Sequence, residues 1–149
     1  MTMQRTVPLS KPRLPEHAYT LVLGMGQTGV SVARRLVESG EAVVVADSRA
    51  EPPGLAAFRE EFPELRVILG ETGVTDFAGA ARCVVSPGIE PWQPVVVALE
   101  AAGVELLSDI DLFVREAAAP VIGITGSNAK STVTTLVGHI ARRANTDVA

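Results

Sequence analysis

From Tyr19 onward, short unbroken apolar runs alternate with longer segments whose apolar residues recur every three or four positions. A short run closed by a turn residue predicts a buried strand, and the wider spacing predicts a helix with one face on a sheet. Strands are predicted over 19–23, 42–46, 65–69, 82–85, 104–107 and 121–125, and helices over 27–38, 55–62, 91–102, 110–117 and 130–143. Gly24, Gly40, Gly70 and Pro63 punctuate these elements as stop signals should. Strand, helix, strand in repeating order predicts an α/β fold with a parallel sheet and right-handed crossovers. Strands buried on both faces explain why the runs are continuous rather than alternating.

A seam near Ala117-Ala118-Ala119-Pro120 divides the pattern. The expected organisation is a flexible leader over 1–18, a Rossmann-like domain over 19–118, and the first strand–loop–helix unit of a second α/β domain over 119–149. Asp147-Val148-Ala149 reads as the opening of a further strand. A sheet that begins this way lacks a partner for its edge, so the sequence is expected to be the N-terminal fragment of a longer protein.

Composition narrows the chemistry. The 149 residues are 47% hydrophobic and 20% charged, the balance of a globular chain. Thirteen Lys and Arg against seventeen Asp and Glu leave a net charge of −4, which argues against a general nucleic-acid coat. It leaves room for anionic small ligands, since a helix N-terminus with one or two cations can hold a phosphate. A single cysteine, Cys83, excludes a disulfide framework and a Cys-rich zinc site, and fits a reducing, cytoplasmic setting. No apolar run approaches a membrane span, so no membrane insertion is expected.

Two turns carry candidate chemistry. Gly24-Met25-Gly26-Gln27-Thr28-Gly29 is a GxGxxG sequence between a predicted strand and helix, with Asp47 at the end of the next strand. That is the context of a dinucleotide-type phosphate turn. Asp47 offers a carboxylate to a ribose diol, and Arg49 a guanidinium to a phosphate or base. Ser86-Pro87-Gly88 ends the fourth strand on the same sheet edge.

The second turn, Gly123 to Thr132, resembles a P-loop, with Lys130 placed to reach phosphates and Ser131 to hold Mg²⁺. Ile124 and Ala129 stand where the strict motif has glycines. Alanine costs little at position 129 provided its φ is negative, as a first helical turn requires. His17, His139 and Cys83 lack partners at ligand spacing; Trp92 is expected to pack near a helix start, and Asp109 and Asp111 to flank one.

Together these segments, with Pro52-Pro53-Gly54, Ser86-Pro87-Gly88-Ile89, Asp109-Ile110-Asp111-Leu112-Phe113 and Gly123 through Thr135, resemble the Mur ligases, ATP-dependent amide-forming enzymes of peptidoglycan precursor synthesis. The likeness is greatest to the members that add D-glutamate to UDP-N-acetylmuramoyl-L-alanine. The resemblance implies an acid–amino-acid ligase working through an acyl phosphate, with ATP and Mg²⁺ as cofactors. It implies that Gln27 and Thr28 contact the diphosphate, that Asp47, Ser48 and Arg49 contact the uridine end, and that Ser86 and Gly88 line the same crevice. It implies that Gly126, Ser127, Asn128, Ala129, Lys130, Ser131 and Thr132 hold ATP, with Lys130 catalytic and Ser131 toward Mg²⁺. Further metal ligands and an amino-acid domain would follow Ala149, so the fragment is not expected to be active alone. Two other readings stay open: an NAD(P)-dependent oxidoreductase domain, which leaves the second loop unexplained, and a non-enzymatic nucleotide-binding module.

Overall fold

A computed structural model describes residues 18–71 and 73–148. These fall into two compact units that divide between Arg115 and Glu116. His17 and all but the last residue of the predicted leader lie outside the described residues.

The first unit is built on five parallel strands: β1 (Tyr19–Leu23), β2 (Val43–Asp47), β3 (Arg66–Leu69), β4 (Ala80–Val85) and β5 (Glu105–Leu107), in spatial order β3-β2-β1-β4-β5. Helices α1 (Gln27–Glu38), α2 (Leu55–Glu61), α3 (Pro94–Ala101) and α4 (Asp109–Glu116) complete it. Every residue of β1 and β2 is buried, as their apolar runs require.

The two sheet faces carry separate cores. Val22, Val45 and Val84 pack with Val32, Ala33 and Leu36 of α1, Phe58 of α2 and Leu112 of α4. Leu21, Leu23, Val44 and Cys83 pack with Val96 and Leu99 of α3 and with Phe77. Each large side chain so enclosed contributes about 1.5–3 kcal/mol relative to exposure. The N-terminal edge of the sheet is closed by a polar network. Arg82 donates to Glu41 at 2.6 Å and to Thr20 Oγ1 at 3.0 Å, and Thr20 Oγ1 donates to Glu41 at 2.9 Å.

Several expectations need correction. Residues 91–93 form a turn rather than the start of α3, so Trp92 stands 73% exposed instead of packing. A 3-10 turn at Val74–Phe77, closed by the Asp76 carboxylate on the Gly73 amide, is too short to show a period in sequence. Asp111 does flank a helix start: it accepts from Ser108 N and Oγ, and Ser108 Oγ accepts from Asp111 N, a reciprocal cap.

The second unit holds α5 (Lys130–Arg143). The predicted strand at 121–125 is not formed. Its residues are apolar enough, but a strand exists only by bonding a neighbour, and the described residues of this unit supply none. Asp147 and Val148 likewise form no strand, and Ala149 lies outside the described residues. No residue of α5 is buried: Val133, Leu136 and Ile140 of its apolar stripe are 41–59% exposed.

Candidate functional site

β1 has β2 on one side and β4 on the other, so the strand order reverses at its C-terminal end. Chain exits diverge there and leave a crevice. Hydrogen bonds carry the sheet one residue further at each exit, from Gly24 N to Ala46 O and from Ser86 N to Leu23 O. The crevice so formed has a volume of about 390 Å³. Gln27, Thr28, Asp47, Ser48, Arg49, Ser86 and Gly88, scattered over sixty positions, all line it. Ile89, the last residue of the Ser86–Ile89 segment, joins them, as do Gln93 and Val95, which had no signal in the sequence beyond their place after β4.

The glycine turn is held rigidly. Gly24 adopts φ +100°, a conformation that disfavours any side chain. Gly29 lies so close to Gly24 O that an added Cβ would fall 1.8 Å from that oxygen. Ser86 Oγ donates to the same oxygen at 3.2 Å. From the other side, Met25 N donates to Asp47 Oδ2 at 2.7 Å. Helix α1 then starts at Gln27 with no side-chain cap and no acidic residue in its first turn. Its first amides are therefore free donors at the positive end of a dipole, facing the crevice.

Asp47 differs from the sequence expectation. Its carboxylate does not stand free for a ribose. Arg49 Nε and backbone N reach Oδ1 at 2.8 and 2.9 Å, and Arg49 Nη2 reaches Oδ2 at 2.7 Å beside the Met25 amide. The Arg49 bonds, helped by the amides of Met25 and Arg49, hold the Asp47 carboxyl down at about 2 against its burial. Arg49 in turn is folded onto Asp47 with half its side chain exposed, and its own pKa is raised by that partner. Burial pushes the Cys83 thiol up to about 12, which fits a core residue and not a nucleophile.

In the second unit the loop 126–132 is exposed throughout. Lys130 Nζ donates to Gly126 O at 2.5 Å, closing the loop on itself. Ala129 has φ +60°, against the expectation of a negative value. The chain enters α5 through a left-handed residue, which is why the strict motif has glycine there. No acidic residue occupies the first turn of α5, and no side chain caps it.

The first unit is thus an open α/β domain with helices on both faces and a glycine-lined crevice at its switch point. Comparison with known proteins gives its family. The Mur ligase MurD-like, N-terminal domain family matches residues 18–108, and the chain belongs to that family. It is 47% identical over 129 residues to UDP-N-acetylmuramoylalanine--D-glutamate ligase of Marinobacter nauticus, covering 87% of this chain and 29% of the relative. The protein of the same name from Nitrosococcus oceani is 45% identical over 141 residues, 94% of this chain and 31% of the relative. The chain therefore spans under a third of the length of these relatives. Among solved structures, a pseudomurein peptide ligase type C from Methanothermus fervidus superposes with a TM-score of 0.55 at 25% identity, over 83% of this chain and 26% of that one. The precorrin-2 dehydrogenase SirC shares the fold alone, with a TM-score of 0.50 at 16% identity over 97% and 72% of the two chains. Among the described residues no helix is long and apolar enough to cross a membrane.

Proposed function

We propose that this chain is the substrate-nucleotide domain and first ATP loop of a cytoplasmic, ATP-dependent ligase that joins D-glutamate to UDP-N-acetylmuramoyl-L-alanine. Ligase relatives of peptidoglycan precursor synthesis support the reading at the level of class. The observation that carries it is the convergence of seven separated residues on one crevice at the switch point.

In this reading the free amides of Gln27 and Thr28 take the diphosphate. Asp47, Ser48 and Arg49 form the seat for the uridine end, and Ser86 and Gly88 form the facing wall. Asp47 acts there through Arg49 and Met25, which it positions. Residues 119–149 form the start of the ATP domain. Gly126 through Thr132 suit an anion, because the start of α5 is uncapped, carries Lys130 and has no acidic residue in its first turn. Lys130 exchanges the Gly126 carbonyl for a phosphate oxygen and neutralises charge where it accumulates.

Ser131 offers one hydroxyl to Mg²⁺. No cluster of three His, Cys, Asp or Glu ligands exists among the described residues, so a bound Mg²⁺ would need ligands besides Ser131. When bound, Mg²⁺ screens the phosphoryl oxygens. In the reaction, the substrate carboxylate attacks the γ-phosphorus of ATP and ADP leaves. The D-glutamate amine then attacks the acyl carbon, loses a proton, and displaces phosphate to form the amide.

Calorimetric titration of the 149-residue chain tests the nucleotide half. Saturable binding of UDP-N-acetylmuramoyl-L-alanine, displaced by UDP, is expected. Absence of binding for both ligands contradicts the reading. Arg49→Ala should weaken UDP binding by about tenfold or more, since a charge-assisted contact is worth ~1.5–3 kcal/mol. It should also lower stability, because Asp47 loses its guanidinium partner.

A further inference from the structure

An ionised carboxylate has about four acceptor positions, two on each oxygen. All four of Asp47 are taken: Oδ1 by the Arg49 amide and Nε, Oδ2 by the Met25 amide and Arg49 Nη2. In dinucleotide-binding domains an acidic residue at this strand end accepts from a ribose hydroxyl. Here the guanidinium takes one position on each oxygen, the pair that a ribose diol would need. Burial of the Asp47 side chain, only 4% exposed, leaves no other approach to its oxygens.

We propose that Arg49 is a specificity-determining residue: by filling one acceptor position on each oxygen of Asp47, it denies both to a ribose diol and makes the crevice reject nicotinamide dinucleotides. The inference rests on the crevice being a nucleotide site, as proposed above. Admission of a diol requires the guanidinium to leave a buried anion, and the diol returns only what the guanidinium gave up without its charge. The other two positions are filled by the backbone amides of Met25 and Arg49, which do not belong to the guanidinium. Removing the guanidinium therefore opens two positions and leaves the turn held.

The test is titration of NAD⁺ and, in parallel, UDP into the 149-residue chain and into Arg49→Ala and Arg49→Met. The methionine variant keeps an apolar stem and has no side-chain donor. Thermal melts establish that each variant is folded. Both variants should bind NAD⁺ at least about tenfold more tightly than the wild type, the gain expected from two recovered hydrogen bonds to a charged group. Adding Asp47→Asn to Arg49→Met should abolish that gain. Folded variants with no gain overturn the inference, and so does a wild type that binds NAD⁺ as tightly as UDP, whatever the variants do. A wild type that ignores UDP beside variants that gain NAD⁺ removes the uridine reading and leaves this one. A wild type that binds UDP beside variants without the gain does the reverse.

Discussion

The chain holds two glycine-bearing turns that each lead into a helix, and they are built in opposite ways. The turn at Gly24–Gly29 is gripped by its surroundings. Asp47 holds the Met25 amide, Ser86 holds the Gly24 carbonyl, and Gly29 packs against that same carbonyl. Among the described residues, the turn before α5 is closed by its own Lys130 on Gly126 O, and its helix buries no residue. The sheet makes the difference. Around the first turn, β2 and β4 bring groups from 22 and 62 positions away. The second turn follows a segment, 121–125, that bonds to no strand. A glycine turn becomes a preorganised site only where neighbouring strands supply the grip. Elsewhere it keeps its donors but stores strain, as Ala129 does.

The largest break in this contrast comes from Gly29→Ala. Its Cβ would fall 1.8 Å from a backbone oxygen that cannot yield without moving β1. The loss should be about 3 kcal/mol or more, read from urea denaturation of the first unit. Gly126→Ala offers the contrast: that position is exposed, and although its φ of +155° disfavours a side chain, no atom lies within 3.4 Å of the added Cβ. Its effect on the denaturation of the first unit should be nil.

Asp47→Asn comes next. Asparagine places an NH₂ where two donors already point, so one backbone amide and one guanidinium N–H lose their acceptor. About 1–3 kcal/mol should be lost. The same group sets a pH dependence. The folded pKa of about 2 lies below the ordinary 3.8, so the stability it provides is complete above about pH 4 and disappears as pH falls toward 2. The component amounts to about 2 kcal/mol and should be missing from the acid limb of the Asp47→Asn variant.

Ala129→Gly should have the smallest effect and the opposite sign. A left-handed alanine costs ~1–2 kcal/mol, and glycine returns part of that as chain entropy. Net stabilisation of about 0.5–1 kcal/mol should slow exchange of the Val133 amide, which bonds Ala129 O, about threefold. Unchanged exchange would mean that Ala129 is unstrained.

Much of this was legible in the residues. The run at 42–46 read as a strand, observed one residue later at Val43–Asp47, because burial on both faces removes alternation. The crevice residues were legible because glycine turns and strand ends mark one sheet edge. Three features were not. The 121–125 segment carries the composition of a strand, and composition does not say whether a neighbour exists. The saturation of Asp47 depends on Met25 and Arg49 meeting across the β1–β2 register, which no spacing reveals. The φ of Ala129 is set by the angle at which the loop enters α5, where residue type predicts the reverse.

Amide NMR of the 149-residue chain during titration with UDP-N-acetylmuramoyl-L-alanine, then ATP with Mg²⁺, shows whether the two turns hold different nucleotides. The first ligand should shift amides at 24–28, 47–49 and 86–89 and spare 126–132, while the second should do the reverse. Shifts from the uridine ligand that cluster on 126–132, or that avoid the crevice at the end of β1, would contradict that division.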